Sequence, residues 1–93
     1  MLDKKMMGER LRMTRESRQI TRKELAETLN ITRTQVSDIE NGKSGTNLER
    51  FLQLCELYRV SADYLLGITD DPKWRGGHKK NSPNDGAGGG KAD

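Results

Sequence analysis

The chain has 93 residues, of which 31% are hydrophobic and 4% aromatic, enough for one small helical core and too little for a large sandwich. Its 17 Lys/Arg against 14 Asp/Glu leave a net charge of +3, an excess too small by itself to indicate nucleic acid. One cysteine excludes an intramolecular disulfide and fits a reducing cytoplasm, and the polar start MLDKK with no long apolar run argues against a signal peptide or a membrane span.

In chain order, a first helix is expected over about 5–18, with Met7, Leu11 and Thr14 on one face and Arg10 beside them. Glu9, Arg12, Arg15 and Glu16 then face water, and Gly8 is a mild cost to the helix. Ile20 stands where a hydrophobic staple would stand, one place before Thr21. Thr21 caps a second helix over 22–29, and Glu24 completes a capping box; Leu25, Ala26 and Leu29 are its apolar face. Asn30 tolerates the left-handed conformation that ends it, and Ile31 tucks under the turn. Thr32, followed by Gln35, caps a third helix over 33–41, whose Val36 and Ile39 face inward. Two short helices joined by a tight turn, the second with Arg33, Thr34, Ser37 and Asp38 outside, form a helix-turn-helix with a reading face.

Asn41-Gly42 stops the third helix, and residues 43–46 are loop. Asn47 caps a fourth helix over 48–58 with an apolar stripe of Leu48, Phe51, Leu54, Cys55 and Tyr58. Ser61 caps a short fifth helix over 62–66, stopped by Gly67. From Asp70 onward the chain holds both prolines, most of the glycines and no periodic apolar pattern, so residues 1–69 are read as the domain and 70–93 as a disordered tail.

The GERLR of Gly8 to Arg12, the ELAETLNITRTQVSDIENGK of Glu24 to Lys43 and the VSADYLLG of Val60 to Gly67 resemble the Xre family of helix-turn-helix regulators, which includes phage lambda repressor and Cro proteins. The resemblance covers about two thirds of the chain and implies an all-α, compact five-helix lambda-repressor-like domain that docks on operator DNA as a symmetric dimer. It also implies a structural ion pair between an Arg of the first helix, taken as Arg10, and Glu40. Such proteins often have Gly where Asn30 stands, Gln where Arg22 stands and Pro near Thr46.

Arg33, in the first turn of the reading helix, is expected to reach a base edge, since arginine on guanine is the commonest specific contact in the major groove. Thr34, Ser37 and Asp38 follow on the same face; Asp38 fits only where it accepts from cytosine N4 or has a basic partner. Arg22, Gln35 and Lys43 are assigned to the DNA backbone, where contacts set register and much of the affinity. Leu52, Leu57, Tyr64, Leu66 and Ile68 exceed what one helical stripe requires and are assigned to a dimer surface. Cys55 is read as a small core residue; with His78 far off in the tail it makes neither a metal site nor a catalytic pair, so no enzyme, metal or cofactor is expected. Trp74 among Lys73, Arg75, Lys79 and Lys80 is read as incidental.

The expected function is therefore a DNA-binding transcriptional regulator in the cytoplasm, a repressor that binds a palindromic operator as a homodimer. The rival is an antitoxin that binds operator DNA and also a toxin protein through the tail around Trp74. A domain that has lost DNA binding is disfavoured by the retained Arg22, Arg33 and Lys43.

Overall fold

Every helix among the described residues starts on a side chain that satisfies an otherwise orphaned backbone N–H. In the computed structural model, which describes residues 1–76, α1 spans Lys4–Ser17, α2 Arg22–Leu29, α3 Arg33–Glu40, α4 Leu48–Tyr58 and α5 Ala62–Leu66. All five expected helices are present, with α1 and α3 shifted or trimmed by one residue. Asp3, Asn47 and Ser61 accept from the N–H three residues on, in α1, α4 and α5. Thr21 with Glu24, and Thr32 with Gln35, form complete capping boxes: each threonine hydroxyl accepts at 3.0 Å, and each longer side chain accepts back from the threonine N–H at 2.8 and 2.9 Å. Asn30 takes the left-handed conformation, φ 58, that ends α2 and starts the tight turn.

α1 is the organising element. It packs against both α3 and α5, while α2 packs against α3. The core joins Met7 and Leu11 of α1 to Leu25, Ala26 and Leu29 of α2, Val36 and Ile39 of α3, and Leu54, Cys55, Tyr58, Val60 and Leu65 beyond. Gly8 has a packing role that the sequence pattern did not reveal. A Cβ there would run into the carbonyl oxygens of Ile39 and Glu40, so only glycine lets α1 lie against the last turn of α3. Gly42, at φ 75, repeats the device one turn on: a Cβ would meet Lys5 Cα at 2.7 Å. Leu48, expected in the buried stripe of α4, is instead 87% exposed; as the first residue of its helix it projects past the core.

The tail expected to begin at Asp70 does not leave the domain there. Residues 70–76 return as a strap along the turn between α4 and α5. Lys73 pairs with Val60 in an isolated antiparallel bridge, and Ser61 N–H donates to the Pro72 carbonyl at 3.1 Å. Arg10 anchors its start by an ion pair to Asp70 at 2.7 Å and by a bond to the Thr69 carbonyl at 2.9 Å. Trp74, read as incidental from sequence, packs against the core and is half-buried. Residues 77–93, with His78, Lys79 and Lys80, lie outside the described residues.

Replacing Trp74 by Ala in the full chain should remove that docking. A loss of about 1 kcal/mol lowers the melting temperature of a domain this size by roughly 4–8 °C. An unchanged melting curve would return Trp74 to an incidental role.

Candidate nucleic-acid interface

The placement of α3 starts with a buried carboxylate at its last residue. Glu40 is buried to 2% side-chain exposure and is held by two arginines from different helices. Arg15 of α1, itself at 7%, grips it through both oxygens: Nε to Oε2 at 2.7 Å and Nη2 to Oε1 at 3.2 Å. Its third arm donates to the Ile20 carbonyl at 2.7 Å, which fixes the link into α2. Arg22, the first residue of α2, adds Nε to Glu40 Oε1 at 3.2 Å. The hydrogen bond to Glu40 outweighs burial and raises the Arg15 pKa above its ordinary value, so the guanidinium stays charged.

The partner of Glu40 is thus Arg15, not the expected Arg10. Arg10 serves the other side of α1: its guanidinium lies 4.2 Å above the Tyr64 ring and donates to the carbonyls of Tyr64 and Thr69 and to Asp70. The expected solvated position of Arg15 is corrected with it. Residue 15 lies four places after Leu11 and eight after Met7, on the buried stripe itself.

Beside this cluster the Tyr58 hydroxyl is buried with no hydrogen-bond partner among the described residues. Burial first, and the charge of Glu40 second, push its pKa well above the usual tyrosine value, eased by Arg15 and Arg18. Burial likewise raises the pKa of the Cys55 thiol, which lies in the core.

With its inner edge and C-terminal end held, α3 turns its other side outward. Arg33 and Thr34 are exposed, and Ser37 and Asp38 half-buried, on that outer side. Asn41 Nδ2 donates to Ser37 Oγ at 3.2 Å, a supporting residue that the sequence reading did not single out. The Asp38 carbonyl accepts from Lys43 N–H at 2.9 Å and Ser44 N–H at 3.3 Å, which folds the following loop back beside the helix end. Lys43 and Arg33 form no ion pair among the described residues. Arg22 is 43% exposed, with its Nε on Glu40 and its two terminal nitrogens without a hydrogen bond among the described residues. Gln35 is committed by its carbonyl oxygen to the α3 cap, which leaves its amide nitrogen for an outside acceptor.

Of the residues assigned to a dimer surface, Leu52, Leu57, Leu66 and Ile68 are exposed, Ile68 by 71%. Tyr64 is half-buried beneath Arg10. Among the described residues no helix is long and apolar enough to cross a membrane.

Two short capped helices, a left-handed turn and an outward third-helix face define a helix-turn-helix, and the family comparison agrees. Residues 8–69 match the model described as a helix-turn-helix domain, and the chain belongs to that family. It is similar to the uncharacterized HTH-type transcriptional regulator YobD of Bacillus subtilis (strain 168), at 37% identity over 67 residues that span 72% of this chain and 60% of that protein. It is also similar to the HTH-type transcriptional regulator ImmR of the same organism, at 41% identity over 61 residues, 66% of this chain and 48% of that protein. The chain therefore covers between 48% and 60% of the length of these two relatives.

The ion cluster makes a specific prediction. Arg15→Ala strands the carboxylate of Glu40 with only the outer Arg22 to meet it and should destabilise the fold by about 3–5 kcal/mol. The pair Arg15→Met with Glu40→Leu should recover most of that loss. Arg10→Ala, whose ion-pair partner Asp70 is fully solvated, should destabilise less than Arg15→Ala. Denaturant unfolding of the variants reads these differences, and equal losses for Arg10→Ala and Arg15→Ala would contradict the assignment.

Proposed function

We propose that this protein is a sequence-specific DNA-binding transcriptional regulator of the Xre type, a repressor that binds a palindromic operator in double-stranded DNA as a homodimer. The observation that carries this reading is the outer face of α3, where Arg33 and Thr34 are exposed and Ser37 and Asp38 half-buried on a helix clamped at its far end. Both relatives are named HTH-type transcriptional regulators, which supports the same conclusion.

In this reading α3 enters the major groove. Arg33 donates to a base edge, Thr34 and Ser37 supply short contacts, and Asp38 accepts from a cytosine amino group. Arg22 and Lys43 flank the groove and meet phosphates, with the Gln35 amide beside them. The terminal nitrogens of Arg22 face the phosphate while its Nε stays on Glu40, so one side chain joins the DNA backbone to the reading-helix clamp.

One reading helix spans only a few base pairs, and a twofold pair would read half-sites about 34–36 Å apart. The exposed Leu52, Leu57, Leu66 and Ile68 of α4, α5 and the turn after it supply apolar side chains for that pairing. A second reading, an antitoxin that binds a toxin as well as DNA, draws support from the strap at Trp74, which adds a structured surface away from α3.

Titration of matched and mismatched duplexes separates the roles. Arg33→Ala should weaken the best site by about 1–3 kcal/mol and relax preference at one base pair. Arg22→Ala should weaken all duplexes alike and reduce the log-log salt slope by about one. Uniform losses on every duplex for Arg33→Ala would remove its base-reading role.

A further inference from the structure

The strap creates a groove that the DNA-binding reading does not use. A groove of about 440 Å³ runs between the C-terminal half of α1, the α4–α5 turn and residues 72–74. None of its lining residues belongs to α2 or α3. Its lining includes the apolar Met13, Val60, Pro72 and Trp74, and Met13 is 55% exposed although it lies on a folded helix.

The charge in this groove is one-sided. Arg18, Arg59 and Lys73 line it, and no Asp or Glu does. Arg18 is engaged, since it donates to the Tyr58 carbonyl at 2.6 Å and to Ser17 Oγ at 3.1 Å. Arg59 and Lys73 form no ion pair among the described residues. The two carboxylates of the strap are paired elsewhere, Asp70 with Arg10 and Asp71 with Arg75. The Trp74 indole N–H is buried with no acceptor among the described residues, so the strap holds a donor that it does not itself satisfy.

We infer that this groove is a docking site for an acidic segment of a partner protein that carries large aliphatic side chains. Carboxylates of the segment meet Arg59 and Lys73 on the rim, and its aliphatic groups cover Met13, Pro72 and Trp74. Trp, Tyr, Met and Arg are the residue types enriched where protein interfaces concentrate their binding energy, and all four line this groove. The apolar side chains beside the cations favour such a segment over a nucleic-acid backbone, which would need cations alone. The site shares no residue with α2 or α3, and it deepens the second reading above by naming the chemistry of a protein partner at the strap.

The chain has one tryptophan, which makes Trp74 its own reporter. A short synthetic peptide with glutamates and leucines at helical spacing, titrated into the full chain, should shift the Trp74 emission in a saturable way. The same peptide with glutamine in place of glutamate should bind about tenfold more weakly or worse, as should the glutamate peptide at high salt. Lys73→Glu and Arg59→Gln, each first shown to melt like the parent, should weaken the glutamate peptide by a similar factor. No saturable shift, equal binding of the glutamine peptide, or undiminished binding to both folded variants overturns the proposal. An equal Trp74 response to a duplex of arbitrary sequence at the same salt also overturns it, and assigns the face to nucleic acid.

Discussion

A carboxylate buried at the end of a helix is unfavourable unless it is fully paired, and the arrangement of this domain follows from how Glu40 is paired. Arg15 meets it from α1 with a two-pronged grip, and Arg22 meets it from the start of α2. The three helices of the reading unit and its support are thereby joined at one point. The same Arg15 also holds the Ile20 carbonyl in the link between α1 and α2. A pair of this kind adds less to stability than its Coulomb attraction suggests, because both charges must leave water. Its value lies in geometry: a planar guanidinium accepts few orientations of its partner, so the end of α3 has one place to be.

Gly8 supplies the complementary constraint. The ion cluster draws the end of α3 toward α1, and the missing Cβ allows the two backbones to meet there. The capping boxes at Thr21 and Thr32 define where α2 and α3 begin, and Asn30 sets the angle between them. Among the described residues the core has twelve buried hydrophobic side chains, and these polar devices fix the helices that it joins. On the side of α3 away from the core, Ser37 is held by Asn41 and Gln35 by the helix cap, while the side chains of Arg33, Thr34 and Asp38 make no hydrogen bond among the described residues.

Much of this was legible in the sequence, because caps and periodicity are local signals. Thr21–Glu24 and Thr32–Gln35 announce helix starts by spacing alone, and Asn30 and Gly67 announce stops. The ion pair was harder, for a physical reason. Several arginines lie on α1, and the choice of Arg10 followed a resemblance rather than the buried stripe, which passes through residues 7, 11 and 15. A glycine that permits a close approach looks the same in sequence as one that merely weakens a helix, so Gly8 was undervalued. The strap was missed because residues 70–76 have neither periodicity nor an apolar run. They are held by backbone pairing to Val60 and Ser61, by Arg10 on Asp70 and by the packing of one Trp, none of which a local pattern encodes. The leucines on α4 divided between core and surface according to the helix phase, and Leu48, at the first position, fell outside.

The central claim is that the outer face of α3, held by Glu40, reads DNA sequence as one half of a twofold pair. Selection of bound duplexes from a random-sequence pool tests it most directly, since it demands both recognition and symmetry at once. The account predicts enrichment of an inverted repeat whose half-sites are about one helical turn apart, roughly 10–10.5 base pairs between centres. Recovery of no common sequence, with binding that depends only on salt, would contradict it.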